Sequence, residues 1–119
     1  MSKLAVLLLA AGLTVLADVQ ADAQKMIADG KYDEAITALD GAFKKDPKSA
    51  ALKKSLIGAY MAKGDFFMFK AQVPPFRKYP EALRSYRKVT EMDPANAKAK
   101  ENIKTIEDIY KSMGRPVPQ

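Results

Sequence analysis

The chain has 119 residues, 20 Lys and Arg against 14 Asp and Glu, a formal charge of +6, and no Cys, His or Trp. That length allows one domain with a modest core, and the abundance of Ala, Lys, Leu and Met beside only 6 Gly favours helix over sheet. The missing residue types exclude disulfides, thiolate metal sites and thiol nucleophiles, and remove the commonest general base and metal ligand together.

Leu4 to Ala17 is an uncharged run of 14 residues behind Ser2-Lys3. It is too short to span a bilayer as a helix and fits the apolar core of a secretory signal. Residues 1–17 are therefore expected to be a signal peptide, cleaved after Val15-Leu16-Ala17 or as far on as Val19-Gln20-Ala21. The protein is then exported, and periplasmic or secreted if bacterial. A buried first helix and an uncleaved membrane anchor are the alternatives.

Beyond the leader the chain reads as helices joined by short turns. From Asp18 to Asp29, Val19, Ala23, Met26 and Ile27 form one apolar stripe, and Gly30 closes the helix. Tyr32 to Lys45 places Ala35, Ile36, Leu39, Ala42 and Phe43 on one face, and Asp46-Pro47 stops it. Ser49 caps a helix carrying Leu52, Leu56, Ile57, Tyr60 and Met61, with Gly64-Asp65 read as the turn after it. A Phe-rich stretch, 66–78, precedes a helix around Ala82, Tyr86 and Val89 that ends at Asp93-Pro94. Asn96 caps a last helix from Ala97 to Ser112, expected to turn Ile103, Ile106, Tyr110 and Met113 inward and Lys100, Glu101, Lys104, Asp108 and Lys111 outward. On it Glu107 precedes Lys111 in the favourable order for an ion pair. Gly114 ends that helix, and residues 115–119 read as an extended, frayed tail.

Two stretches of this chain are nearly the same phrase. Gly30-Lys31-Tyr32-Asp33-Glu34-Ala35 runs on through Leu39 and Ala42 to Asp46-Pro47, and Tyr79-Pro80-Glu81-Ala82 runs on through Tyr86 and Val89 to Asp93-Pro94. Ala35 to Pro47 is 12 residues, and so is Ala82 to Pro94. Small and large apolar residues recurring at fixed offsets imply stacked copies of one supersecondary unit. The pattern resembles the tetratricopeptide repeat. Ala23, Met26, Gly30, Ala35, Leu39, Ala42 and Pro47 occupy its positions in the first copy, and Leu56, Tyr60, Gly64, Ala82, Tyr86, Val89 and Pro94 in the second. Pro47 to Pro94 is 47 residues, longer by about 13 than the family's period of about 34, so the second copy carries an insertion.

The resemblance implies an all-α fold of antiparallel helix pairs stacked as a short right-handed superhelix. Its parts are a first repeat over 18–49, a second over 50–96 with the insertion at 66–78, a capping helix over 97–113 and a tail over 114–119. Ala23, Ala35 and Ala82 are the small residues that let helix backbones approach. The resemblance further implies a non-catalytic module that binds a protein or peptide in a concave groove. By position that groove presents Gln24, Ile27, Lys54, Gly58, Met61, Lys98 and Glu101, among neighbours such as Gln20 and Thr105. Where one subfamily clamps a peptide carboxylate with Lys, Asn and Arg, this chain has Gln20, Gln24, Ser55 and Asn102, and only Lys98 agrees.

The insertion holds Phe66, Phe67, Phe69 and Phe76. Either these rings cover the open end of a small core, or Phe67 and Phe69 are an exposed patch that docks a partner or a second copy of the chain. From Lys70 onward 11 basic residues face 6 acidic ones, so a basic surface for anionic lipid or nucleic acid is a further reading. The basic residues alternate with acids along helices, as on a solvated face, and no nucleic-acid-reading motif is present. Membrane contact is otherwise expected only through an uncleaved leader. Ser85-x-x-Lys88 matches a nucleophile motif whose companion motifs are missing. No catalytic, metal or cofactor site is expected.

Overall fold

A computed structural model describes residues 18–119; the leader expected over 1–17 lies outside them. The described chain is helical, with no strand among the described residues. Helix α1 covers 18–28 of the described residues. It is followed by α2 (Tyr32–Lys45), α3 (Ala50–Asp65), a π-helical turn (Phe66–Lys70), α4 (Pro75–Met92) and α5 (Ala97–Ser112).

The turns follow from a few residues. Gly30 sits at φ +77°. It donates to the Ile27 carbonyl at 3.0 Å while Lys31 N–H reaches back to Met26 at 2.7 Å, the paired bonds that close a helix through a left-handed residue. Gly114, at φ +66°, ends α5 the same way, with Arg115 N–H on the Tyr110 carbonyl at 3.0 Å.

The two Asp-Pro phrases build a second kind of turn, twice. Ser49 N–H donates to the Asp46 carbonyl and Asn96 N–H to the Asp93 carbonyl, both at 3.1 Å. The fourth residue then caps the next helix: Ser49 Oγ accepts from Leu52 N–H at 3.2 Å, and Asn96 Oδ1 from Ala99 N–H at 2.9 Å. Each cap satisfies a backbone donor that the helix start leaves orphaned. The recurrence in the sequence is thus a recurrence of turn chemistry as well as of packing.

The chain divides into two compact units between Ala59 and Tyr60. In the first, the buried residues described are Ala23 of α1, Ala35 and Leu39 of α2, and Leu52, Leu56 and Ala59 of α3. Ile36, Ala42 and Phe43 are half-buried, so the face expected of α2 is present with Ala35 and Leu39 deepest. Gln20 Nε2 donates to Ser55 Oγ at 3.0 Å, tying α1 to α3.

In the second unit α5 and the π turn both pack on α4. Ala82, Leu83, Tyr86 and Val89 of α4, with Ala99 and Ile106 of α5, are fully buried. Tyr79 and Tyr110 meet edge to face at 6.5 Å between ring centres.

Four expectations are corrected in this unit. Gly64-Asp65 is no turn: α3 runs through both residues. Gly64 is there because a Cβ on it would stand 2.6 Å from Tyr86 Cε1, so the glycine admits a ring rather than a bend. Met113 lies past the end of α5 and is 45% exposed; Asn102 joins Ile106 and Tyr110 as a buried member of the inner face. On the outer face of α5 the ion pair formed is Lys104 with Asp108 at 2.9 Å, and Asp108 raises the pKa of the Lys104 ammonium by hydrogen bonding and by its charge. The tail, finally, is held rather than frayed: Arg87 Nη1 donates to the Pro118 carbonyl at 2.8 Å, and Val117 and Pro118 are half-buried.

The Phe-rich stretch is mostly helix. The π turn closes with Ala71 N–H on the Phe66 carbonyl at 2.7 Å, and α4 begins at Pro75 with Pro at its first position. Only Ala71 to Pro74 is free of helical structure. Pro80 lies inside α4; it has no N–H to give the carbonyl one turn before it, and the helix continues regardless.

Candidate functional site: a groove on α1 and α3

The first unit gathers four of the residues expected in a binding groove. Gln24 and Ile27 of α1 and Lys54 of α3 line one cavity of about 360 Å³, together with Ser55 and Gly58. The stripe of α1 explains the positions: with Ala23 buried, the next residue round the helix, Gln24, is exposed, and Ile27 is half-buried. On α3, Lys54 and Gly58 lie four apart, one above the other on one helix face, between the buried Leu52, Leu56 and Ala59.

The groove offers apolar, amide and cationic surface side by side. Ile27 gives a partly covered apolar surface, Gln24 an exposed amide and Lys54 an exposed ammonium. The Gln20–Ser55 bond fixes one side of it. Nothing stands within 4 Å of where a Gly58 Cβ would be.

The other residues expected to bind belong to the second unit. Met61 of α3 and Phe67 of the π turn are half-buried, while Phe69, Lys98 and Glu101 are exposed. Phe67 stacks edge to face on Phe66 at 5.2 Å, so the pair Phe67 and Phe69 divides: one ring packs internally and the other, 62% exposed, does not. Phe76 is 75% exposed.

A second cavity of about 360 Å³ lies in this unit, lined by Tyr60 and Lys63 of α3, by Glu81, Arg84, Arg87 and Lys88 of α4, and by Gln119. Its charges are engaged with one another. Glu81 pairs with Arg84 at 2.7 Å and Lys63 at 3.7 Å, and Lys88 pairs with Glu91 at 3.4 Å. Ser85, the hydroxyl of the nucleophile-like motif, is buried and donates to the Glu81 carbonyl at 3.1 Å. That is the ordinary back-bond of a serine inside a helix.

Below it sits a polar cluster that sequence reasoning missed. Tyr86 is fully buried, and its hydroxyl donates to Asp65 Oδ1 at 2.6 Å. Burial first, and then the Asp65 carboxylate, push the phenol's pKa far above its ordinary value. Asn102 opposes the rise from beside the phenol, yet its buried Nδ2 meets no acceptor in hydrogen-bonding geometry among the described residues. The motif position of Tyr86 announced a packing residue; the cluster was hidden because Asp65 read as a turn.

The family model of the tetratricopeptide repeat matches residues 26–66, from the end of α1 through α2 and α3. Comparison with curated proteins gives no match, and comparison with solved structures gives none.

Proposed function

Because residues 26–66 match the family model of the tetratricopeptide repeat and the described residues are helical, we propose that the chain is a binding module that takes an extended peptide in the groove of Gln24, Ile27, Lys54 and Gly58. Tetratricopeptide repeats commonly mediate protein–protein contact and are generally non-catalytic. The observation that carries the proposal is the convergence of the groove residues of two helices on one cavity. Lys54 gives a preference for peptides with a carboxylate near the apolar contact.

Gly58 offers the test. Its Cβ position is open, and most residues suit a helix interior better than glycine does, so Gly58→Phe fills the groove while leaving the fold intact. A phage-displayed peptide library panned against the purified chain should yield binders that Gly58→Phe loses by at least about tenfold, which is about 1.4 kcal/mol. Equal binding by parent and variant would remove the groove from the proposal.

We further propose that the module works outside the cytoplasm, on the strength of the apolar run Leu4–Ala17. Intact mass of the protein recovered from a periplasmic or secreted fraction should correspond to a chain beginning at Asp18 or Asp22. A full-length chain in the cytoplasmic fraction would refute export.

A further inference from the structure

We propose that the connection from Phe69 to Lys78 is a docking surface for an anionic lipid bilayer. Phe69 and Phe76 are 62% and 75% exposed, and with Met113 they are the large apolar side chains left open to solvent among the described residues. Both flank one short bend. Its base is fixed: Ala71, between them in sequence, is buried, and its N–H closes the π turn on Phe66. Pro74 and Pro75 stiffen the other side. The rings are therefore presented by restrained backbone and lose little freedom on binding.

The charge around the rings identifies the occupant. Lys70, Arg77 and Lys78 lie within this stretch, and no Asp or Glu occurs from Phe66 to Pro80. None of the three cations has an ion-pair partner among the described residues. Unanswered cations beside exposed rings suit the bilayer interface, where aromatic rings sit at headgroup level and Lys and Arg meet anionic phosphates. Rings that stand out this far enter a bilayer without needing a matching pocket, which a protein partner would have to supply. Among the described residues no helix is long and apolar enough to cross a membrane.

Co-sedimentation of the purified chain with phosphatidylglycerol–phosphatidylcholine vesicles tests this. Binding should appear with these vesicles, fail with phosphatidylcholine alone, and weaken as salt rises. Phe76→Ser and the double change Phe69→Ser with Phe76→Ser should keep the parent's melting temperature, because both rings are exposed, and the double variant should lose at least about tenfold in vesicle affinity. Lys70→Gln and Arg77→Gln should each cost about fivefold, the equivalent of about 1 kcal/mol per cation. Gly58→Phe should bind vesicles like the parent, which separates this surface from the peptide groove. The proposal is overturned by absent vesicle binding, by Ser variants that bind undiminished, or by retention of polyglutamate without retention of vesicles, which would assign the patch to an acidic protein.

Discussion

Two glycines six residues apart in α3 face opposite demands. A side chain at Gly58 meets open space, whereas one at Gly64 meets the ring of Tyr86 at 2.6 Å, and that ring is buried and tethered by its hydroxyl to Asp65. Gly58→Ala should stabilise the chain by about 0.5–1 kcal/mol through helix propensity. Gly64→Ala should destabilise it by about 1–3 kcal/mol, because the overpacking outweighs the same gain. Urea titrations of the two variants check both signs. Tyr86→Phe should cost about 1.5–3 kcal/mol at neutral pH, since Asp65 loses its donor. The pH dependence follows from the direction of the phenol's shift. The folded state holds Tyr86 protonated beyond the pH of about 10 at which an unfolded tyrosine ionises, so its contribution is complete below that pH and drains away above it. Parent and Tyr86→Phe stabilities should converge as pH rises past about 10; a constant difference would show that the phenol is not held neutral by the fold.

Most elements were legible because their ends carry chemistry. Gly30, Asp46-Pro47, Ser49, Asp93-Pro94, Asn96 and Gly114 each stand where the sequence placed a stop or a cap, and α2 and α5 have the bounds that these residues dictate. The equivalence of the two Asp-Pro turns makes a paired prediction. Ser49→Ala and Asn96→Ala should each cost about 1 kcal/mol, read as loss of melting temperature. The end of α3 was illegible for a physical reason. A glycine followed by an aspartate spells a turn locally, and what overrides it is a tyrosine 22 positions later on α4. The start of α4 at Pro75 lies inside the Phe-rich stretch, where proline at the first position opens a helix. Gln24, Ile27 and Lys54, positions that the resemblance implied, line one cavity. The split of Phe67 from Phe69 was not legible, because a π turn changes which way successive residues face.

At the scale of the whole molecule, each unit has its own buried set, and the second is completed by residues beyond its last helix. Arg115 closes α5, and Pro118 answers Arg87 on α4. Arg87→Ala should lower stability by about 1 kcal/mol, the worth of one modest hydrogen bond, and should raise amide exchange at Val117 and Gln119 without altering exchange in α1 and α2. What Arg87 grips is a main-chain oxygen, which every amino acid possesses. The tail is accordingly measured by its reach and not by its spelling: Pro118→Ala should be held as before, while a chain shortened to residue 115 should melt earlier, because it lacks the carbonyl that arrives at the guanidinium.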